Sequence, residues 1–480
     1  MIDWISRRRF IGTSAACAAF APFSAAAAKA QKQPAAKGKS SAEVHKKRPA
    51  KKGVTAAEAR ALYEDANGRA TDTVWCRRAY LDIAGRIPTA AEARAFAVAS
   101  AGDRRARLVD ELLASEDFAD YWAMRYCDIL RVKSEFPINL WPNAVYVYHR
   151  RIRESVAQDE SWLAFARALL TTAGSNFRDP ETNFLRATAK RTAEGLSEVA
   201  SLTFLGEATT EYAAYFAPVA IKTTREWKEE IVYFTPGHPT PADFADRLAG
   251  DLKDRFAAAH AQRIWQWIFC ELPDASRAKT LAAAFAQDGF RLKPFLRRLV
   301  LSDDYARGSV TGGFPIRRLD AEVLDDAICA LTGAKRDYQS IAPEPFTFLP
   351  PERKSVLIED GSISNAFLIL FGRPARDSGL FAERHNDVTA KQRLYLYNSG
   401  KLYARLGNLA ERKSLRSRPF HNLVEEFYWR ILGRAPAPFE VAALQAYRKK
   451  VETKGPRERQ HLFKDVCWCL INSKEFLFRI

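Results

Sequence analysis

From Val54 onward the apolar positions recur with a period near 3.6, and strand-like alternation is scarce. Phe118, Tyr121, Trp122, Tyr126 and Ile129, with Arg125 among them, fall on one helix face, a stripe suited to core packing. The same period predicts helices over about 143–157, 161–171, 188–205, 257–271, 277–287, 293–302, 319–332, 389–410, 420–432, 438–451 and 459–472. The stretches 172–184, 222–240 and 336–362 are rich in Pro, Gly and Ser and read as loops or short extended pieces. Residues 343–351, Pro-Glu-Pro-Phe-Thr-Phe-Leu-Pro-Pro, exclude a helix, because proline lacks an N–H and biases the preceding residue away from helical dihedrals. The fold class is therefore all-α: two packed helical domains, over 54–235 and 240–480, with long irregular loops.

One module recurs along these helices. Trp75 to Ala84 reads as a helix end, Gly85-Arg86 as a turn, and Pro88 as the lead into a helix announced by Thr89 and Glu92, a capping box. About 30 residues past Gly85, Leu112-Leu113-Ala114-Ser115-Glu116-Asp117-Phe118 is a helix end, then a serine cap, acids and an aromatic. Phe427 to Pro436 restates the first half around Gly433-Arg434, with Glu440 following, and Cys469 to Phe476 restates the second. A middle copy starts at Arg263-Ile264-Trp265 and ends at Ser302-Asp303-Asp304-Tyr305, but lacks the Gly-Arg turn. Glycine permits the positive-φ helix stop, and the motif builds structure without requiring chemistry. Arg86 and Arg434 are expected to bond carbonyls at the helix C-terminus rather than a ligand.

The 480 residues suffice for two or three domains, and 47% apolar with 27% charged residues excludes wholesale disorder. The net charge of +17 suggests nucleic acid until it is mapped: +2 lies in 1–28, +8 in 29–53, and only +7 in the remaining 427 residues. No groove-reading or base-stacking motif accompanies it, so no nucleic-acid partner is expected. Ser6-Arg7-Arg8-Arg9-Phe10-Ile11-Gly12 heads an Ala-rich apolar run to Ala28, a twin-arginine signal peptide with cleavage expected within Ala25–Ala30. Residues 29–53, Lys, Ala, Pro and Ser, form a disordered basic linker. The expected location is the periplasm or cell surface, with no transmembrane helix after signal cleavage.

Chemistry is sparse. Cys17 falls in the signal; Cys76, Cys127, Cys270, Cys329, Cys467 and Cys469 include no C-x-x-C, and spacing does not pair them. The seven histidines form no i, i+4 pair, so no metal and no cofactor is expected; His385-Asn386-Asp387 alone looks ligand-like. The densest polar signature runs from Phe371-Gly372-Arg373-Pro374-Ala375-Arg376-Asp377 through Glu383-Arg384 into a helix bearing Gln392, Arg393 and Asn398. Its arginines and interleaved acids suit either a buried ion-pair network or an anion or sugar site. The candidate site residues are Arg373, Arg376, Glu383, Arg384, Gln392 and Asn398.

Residues 75–132, with Arg78-Ala79-Tyr80-Leu81-Asp82, Gly85-Arg86-Ile87-Pro88-Thr89 and Tyr121-Trp122-Ala123, closely resemble the secreted family called domain of unknown function 1549. Residues 260–480 resemble its usual companion, domain of unknown function 1553, at Arg263-Ile264-Trp265, Arg317-Arg318-Leu319-Asp320-Ala321-Glu322, Phe371-Gly372-Arg373-Pro374 and Leu396-Tyr397-Asn398-Ser399. The resemblance, to a planctomycete- and verrucomicrobial-type family, implies an envelope protein often accompanied by sulfatase-like partners, without an established activity. Many relatives carry C-x-x-C-H after a Phe-Leu-Gly; here Phe204-Leu205-Gly206 runs through Glu207 to Glu211 directly into Tyr212, as in a haem-less member. The leading expectation is a non-catalytic binding or assembly component. The alternatives are a polysaccharide-directed hydrolase with its site near 371–398, and a redox protein that has lost its c-type haem.

Overall fold

The computed structural model describes residues 55–100, 102–224, 229–340, 348–410, 419–453 and 456–480. The expected twin-arginine signal peptide and the expected basic linker lie outside the described residues, as does most of 343–351. Helices dominate, as the periodicity predicts. Their ends follow local chemistry: Thr89 and Glu92 close a full capping box on Ala90–Val98, and Ser115 accepts from the Phe118 N–H to start Glu116–Ile129. The helix expected over 389–410 is two, Ala390–Asn398 and Gly400–Ala410, because Ser399 leaves the helical region at φ −68° and ψ 104°. In and just before the stretches read as loops, Gly174–Ser175, Glu230–Phe234 and Val219–Thr223 form a small antiparallel sheet with Glu230–Phe234 in the middle. Among the described residues no helix is long and apolar enough to cross a membrane.

One hydrophobic core runs without interruption from Tyr63 to Ile480. The modules converge on it. In the first, Arg78 is buried and donates to the carbonyls of Ile480 (2.9 Å), Tyr305 (2.5 Å) and Arg307 (3.0 Å), while Arg77 donates to those of Ile431 and Phe476. Asp82 receives the Tyr305 hydroxyl (2.8 Å) and Arg479 (2.9 Å). The C-terminal strand Phe478–Arg479, paired with Arg317–Arg318, thus straps the first module to the middle one.

Arg86 and Arg434 are clamps, but their main partners are carboxylates rather than helix-end carbonyls. Arg86 holds Glu92 at 2.7 and 2.8 Å and Asp117 at 2.6 Å, and lies over the Tyr80 ring. Arg434 holds Glu440 and Glu475 in the same way and lies over Tyr428. The capping glutamate and the acid after the serine cap are therefore tied by one guanidinium. The middle copy keeps the geometry with altered residues. Cys270 takes the left-handed position (φ 59°) that Gly85 and Gly433 occupy, and Arg277, at the place of Glu92, pairs with Asp304 over Trp265.

Candidate functional site: an arginine clasp beneath an exposed apolar face

The stretch 371–398 is shaped by backbone constraints before any side chain acts. Gly372 has φ 80°, and a Cβ there would lie 2.0 Å from the His385 carbonyl oxygen, so only glycine lets the two strands of the loop meet. That carbonyl and the one of Phe371 accept from Arg318. Glu383 caps the turn ahead of it, accepting from the backbone N–H groups of Asp377 (2.8 Å) and Ser378 (3.1 Å) and from the Ser378 hydroxyl (2.7 Å).

Of the four arginines of the signature, Arg393 is exposed and the other three point inward. Arg376 donates to Asp128 at 2.9 Å and to the Glu359 carbonyl at 2.7 Å. Arg384 bridges Asp128 at 2.7 Å and Glu322 at 2.6 Å. Arg373 lies 3.4 Å from Glu322 and satisfies the carbonyls of Ile363 (2.6 Å) and Asp360 (3.1 Å). Asp320 extends the group, meeting Arg125 and the Tyr121 hydroxyl from one side and the Asn386 amide (3.0 Å) from the other. All three arginine side chains are almost wholly buried. Of the two readings of this signature, the side chains form the ion-pair network, not a cleft on which Arg373, Arg376, Glu383 and Arg384 converge. Glu383 remains outside the network, half-buried on its turn.

Electrostatics follow the packing. Burial pushes the Asp128 and Asp320 carboxyls up, but the guanidinium groups of Arg384 and Arg376 around the first, and of Arg125 and Arg317 around the second, outweigh it and hold both below the ordinary range. Burial lowers Arg373 to about 10, with Arg376 adding to it, whereas Asp128 and Glu322 overcome burial at Arg384 and raise it well above the usual value.

Gln392 closes the capping box with Thr389 and donates from Nε2 to the Leu370 carbonyl at 2.9 Å, tying Ala390–Asn398 to Ala366–Leu370. Asn398 is exposed at the end of that helix. His385 is exposed and Asn386 is turned to Asp320; among the described residues no group of three His, Cys, Asp or Glu stands close enough to hold a metal ion. The clasp partners not singled out in the sequence are Asp128, which lies in the aromatic stripe, and Asp320 and Glu322, which stood only within the stretch that carries the resemblance.

Residues 54–222 match the family described as a protein of unknown function (DUF1549), and residues 279–448 match a second such family (DUF1553). The chain carries a DUF1549 region followed by a DUF1553 region. No curated protein and no solved structure matches it. In this DUF1549–DUF1553 chain the network is a clasp between the two regions: Arg125 and Asp128 come from the first, and Asp320, Glu322, Arg376 and Arg384 from the second. Where the resemblance places a haem segment, the loop after Gly206 is closed by Ser197 and Ser201, whose hydroxyls bond the Thr209 carbonyl (2.7 Å) and N–H (3.0 Å).

The outer surface of 369–397 sets large apolar side chains among the exposed Asp377, His385, Asp387, Lys391 and Arg393. Ile369, Leu380, Phe381, Val388, Leu394 and Tyr397 are six of the fourteen large hydrophobic side chains exposed among the described residues, with exposures from 36% to 69%. Tyr395 packs on Phe367 and Phe371 between the two short helices, which leaves Leu394 on the outside and Tyr397 part-exposed against the Trp468 ring, centroids 5.8 Å apart. Elsewhere, a cavity of about 860 Å³ separates the Gly85–Arg94 turn from Asp326 to Arg336, floored by Ile87, Ala327, Leu331 and Val356. Its rim charges are paired, Arg86 with Asp117 and Arg94 with Glu426. Burial pushes the Asp326 carboxyl at this cavity up to about 7, against Arg336 and the N–H groups of Ser355 and Val356.

Proposed function

We propose that this protein, exported by the twin-arginine pathway, works in the cell envelope as a non-catalytic binding and assembly component that docks a partner protein on the face 369–397. One observation carries the reading. Arg373, Arg376 and Arg384 are spent on an internal clasp, while residues 369–397 turn six large apolar side chains to solvent. Solvent-facing apolar clusters on a rigid platform mark interaction surfaces, because their burial drives association and little ordering is lost on docking. The sulfatase-like companions implied by the family resemblance are the first occupants to try.

The test is photo-crosslinking in the native envelope with a reactive residue at Leu394. A discrete crosslinked protein, lost when Ile369→Asp and Tyr397→Asp are introduced without a change in melting, is expected. Turnover of an envelope polysaccharide by the purified protein, abolished by substitution of Glu383, would instead favour a hydrolase.

A further inference from the structure

A second concavity, of about 910 Å³, opens between the segment 134–142 and the sheet end that carries Thr223 and Glu230. This volume falls in the range of ligand sites. Two aromatic side chains stand at it: Phe136, 80% exposed, and Trp141, partly buried. Trp141 holds φ 73° and ψ 145°, a conformation that a bulky L-residue rarely adopts. Arg131 and Asn139, in the same short segment, also have positive φ. Such strain persists only where the surroundings enforce it, and here they do.

The segment is pinned from several sides. The Ser134 N–H donates to Asp360 (3.0 Å), the Glu135 N–H to the Ser362 hydroxyl (3.1 Å), and Arg131 reaches the Ser378 carbonyl (3.2 Å). Lys133 pairs with Asp377 at 2.5 Å. Phe136 is therefore a large ring held in water by a fixed backbone, which folding alone does not reward. The opposite wall is polar. Glu230 is gripped by the buried Arg186 (2.7 Å) and by Arg191 (2.8 Å), which is one-third exposed, with the hydroxyl of Thr223 beside it and Thr188 on the same wall. Arg186 and Arg191 cancel Glu135 and Glu230, so the lining carries no net charge to favour a polyion.

The geometry points to a binding groove for a neutral saccharide chain. The apolar C–H face of a pyranose suits an aromatic ring, while its hydroxyls both donate and accept, which fits a wall of paired carboxylate, guanidinium and threonine hydroxyl groups. A preformed groove of this kind binds without ordering the protein. The site uses residues other than the docking face, and it does not depend on the partner proposal.

The test is calorimetric titration of the full mature chain with three neutral hexasaccharides, a β-1,4-glucan, a β-1,3-glucan and an N-acetylglucosamine oligomer. At least one is expected to bind, and Phe136→Ala is expected to weaken it about tenfold or more, with an unchanged melting temperature because the ring is exposed. Trp141→Ala serves as a second variant, and Arg191→Gln, which removes the part-exposed guanidinium of the polar wall, is expected to weaken binding less. Three silent titrations overturn the inference, as does binding that Phe136→Ala and Trp141→Ala leave intact. A proline-rich decapeptide that alone binds, and is lost in both variants, overturns it in favour of a peptide groove. Partner capture should be unaffected by Phe136→Ala, and saccharide binding by Tyr397→Asp, so the two proposals fail separately.

Discussion

Arg434 and Glu475 are 41 residues apart in sequence and meet through two hydrogen bonds of 2.7 and 2.8 Å, with both side chains more than nine-tenths buried. Arg86 and Asp117 repeat the contact in the first module at 2.6 Å, but both remain about a quarter exposed. The difference in solvent access sets the difference in energy. Removing one partner of a buried pair leaves an uncompensated charge, whereas water can replace a partner at a part-exposed site. Arg434→Ala should therefore cost about 3–5 kcal/mol, and more because Glu440 loses the same guanidinium. Arg86→Ala should cost about 1 kcal/mol. Urea unfolding of the two variants checks this; equal losses would contradict the argument from burial.

Cys270 gives a prediction of opposite sign. It sits in the left-handed conformation at φ 59°, where its counterparts are Gly85 and Gly433. A residue with a Cβ is disfavoured there by roughly 1–2 kcal/mol relative to glycine. The thiol returns part of this through Arg479, whose Nη2 lies 3.3 Å from Sγ. Cys270→Gly is expected to raise stability by about 1 kcal/mol, whereas Cys270→Val, stiffer at the same φ, should lower it. Denaturation midpoints for the two variants decide the matter.

These contacts also mark what is legible in one dimension. The module was readable because its signals are local: a glycine at the helix stop, a glutamate three residues after the cap, an acid two after the serine. Even the charge-exchanged middle copy follows, once Cys270 is aligned with Gly85. The clasp was not readable in full. Arg376 and Arg384 announced an ion-pair network or a site, but their partner Asp128 lies about 250 residues away, hidden in an aromatic stripe that spacing assigns wholly to the core. Asp320 and Glu322 entered only as part of a family pattern. The saccharide groove left still less trace, since the Trp141 N–H bonds the Ser134 carbonyl, and Ser134 and Glu135 are in turn anchored by Asp360 and Ser362, far away in sequence.

Export can be checked independently of any binding. The twin-arginine pathway depends on the paired guanidinium groups of the n-region, so replacing Arg7, Arg8 and Arg9 together by lysine keeps the charge and removes the recognition. The precursor should then accumulate in the cytoplasm at full length, while the unaltered chain is processed near Ala25–Ala30. Immunoblots of fractionated cells read both outcomes. Equal processing of the two forms would assign export to the general secretory route.

Acid should loosen the protein in two separate windows, each with a defined sign. His149 is buried, and burial, aided by Arg376 and Arg353, lowers it from 6.5 to about 3. The folded state keeps it neutral while the unfolded chain takes up a proton, so stability is full above pH 6.5 and falls as pH drops toward 3. The full shift corresponds to an order of 4–5 kcal/mol. Asp128 and Asp320, held below the ordinary carboxyl range by their arginines, add stability that is present above about pH 3.8 and is lost only below it. His149→Gln should therefore remove the His149 share of the slope between pH 6.5 and 4 and leave the loss below pH 4 in place. The share of His260, which burial also lowers, remains, as does that of Asp326, which is raised to about 7 and acts with the opposite sign. Asp320→Asn should do the reverse: a lower stability at pH 7, because Arg125 is left without its charge partner, and a weaker decline in strong acid. Urea midpoints at half-unit steps from pH 7 to about 1.5 separate the two variants, and parallel curves for all three proteins would refute both assignments.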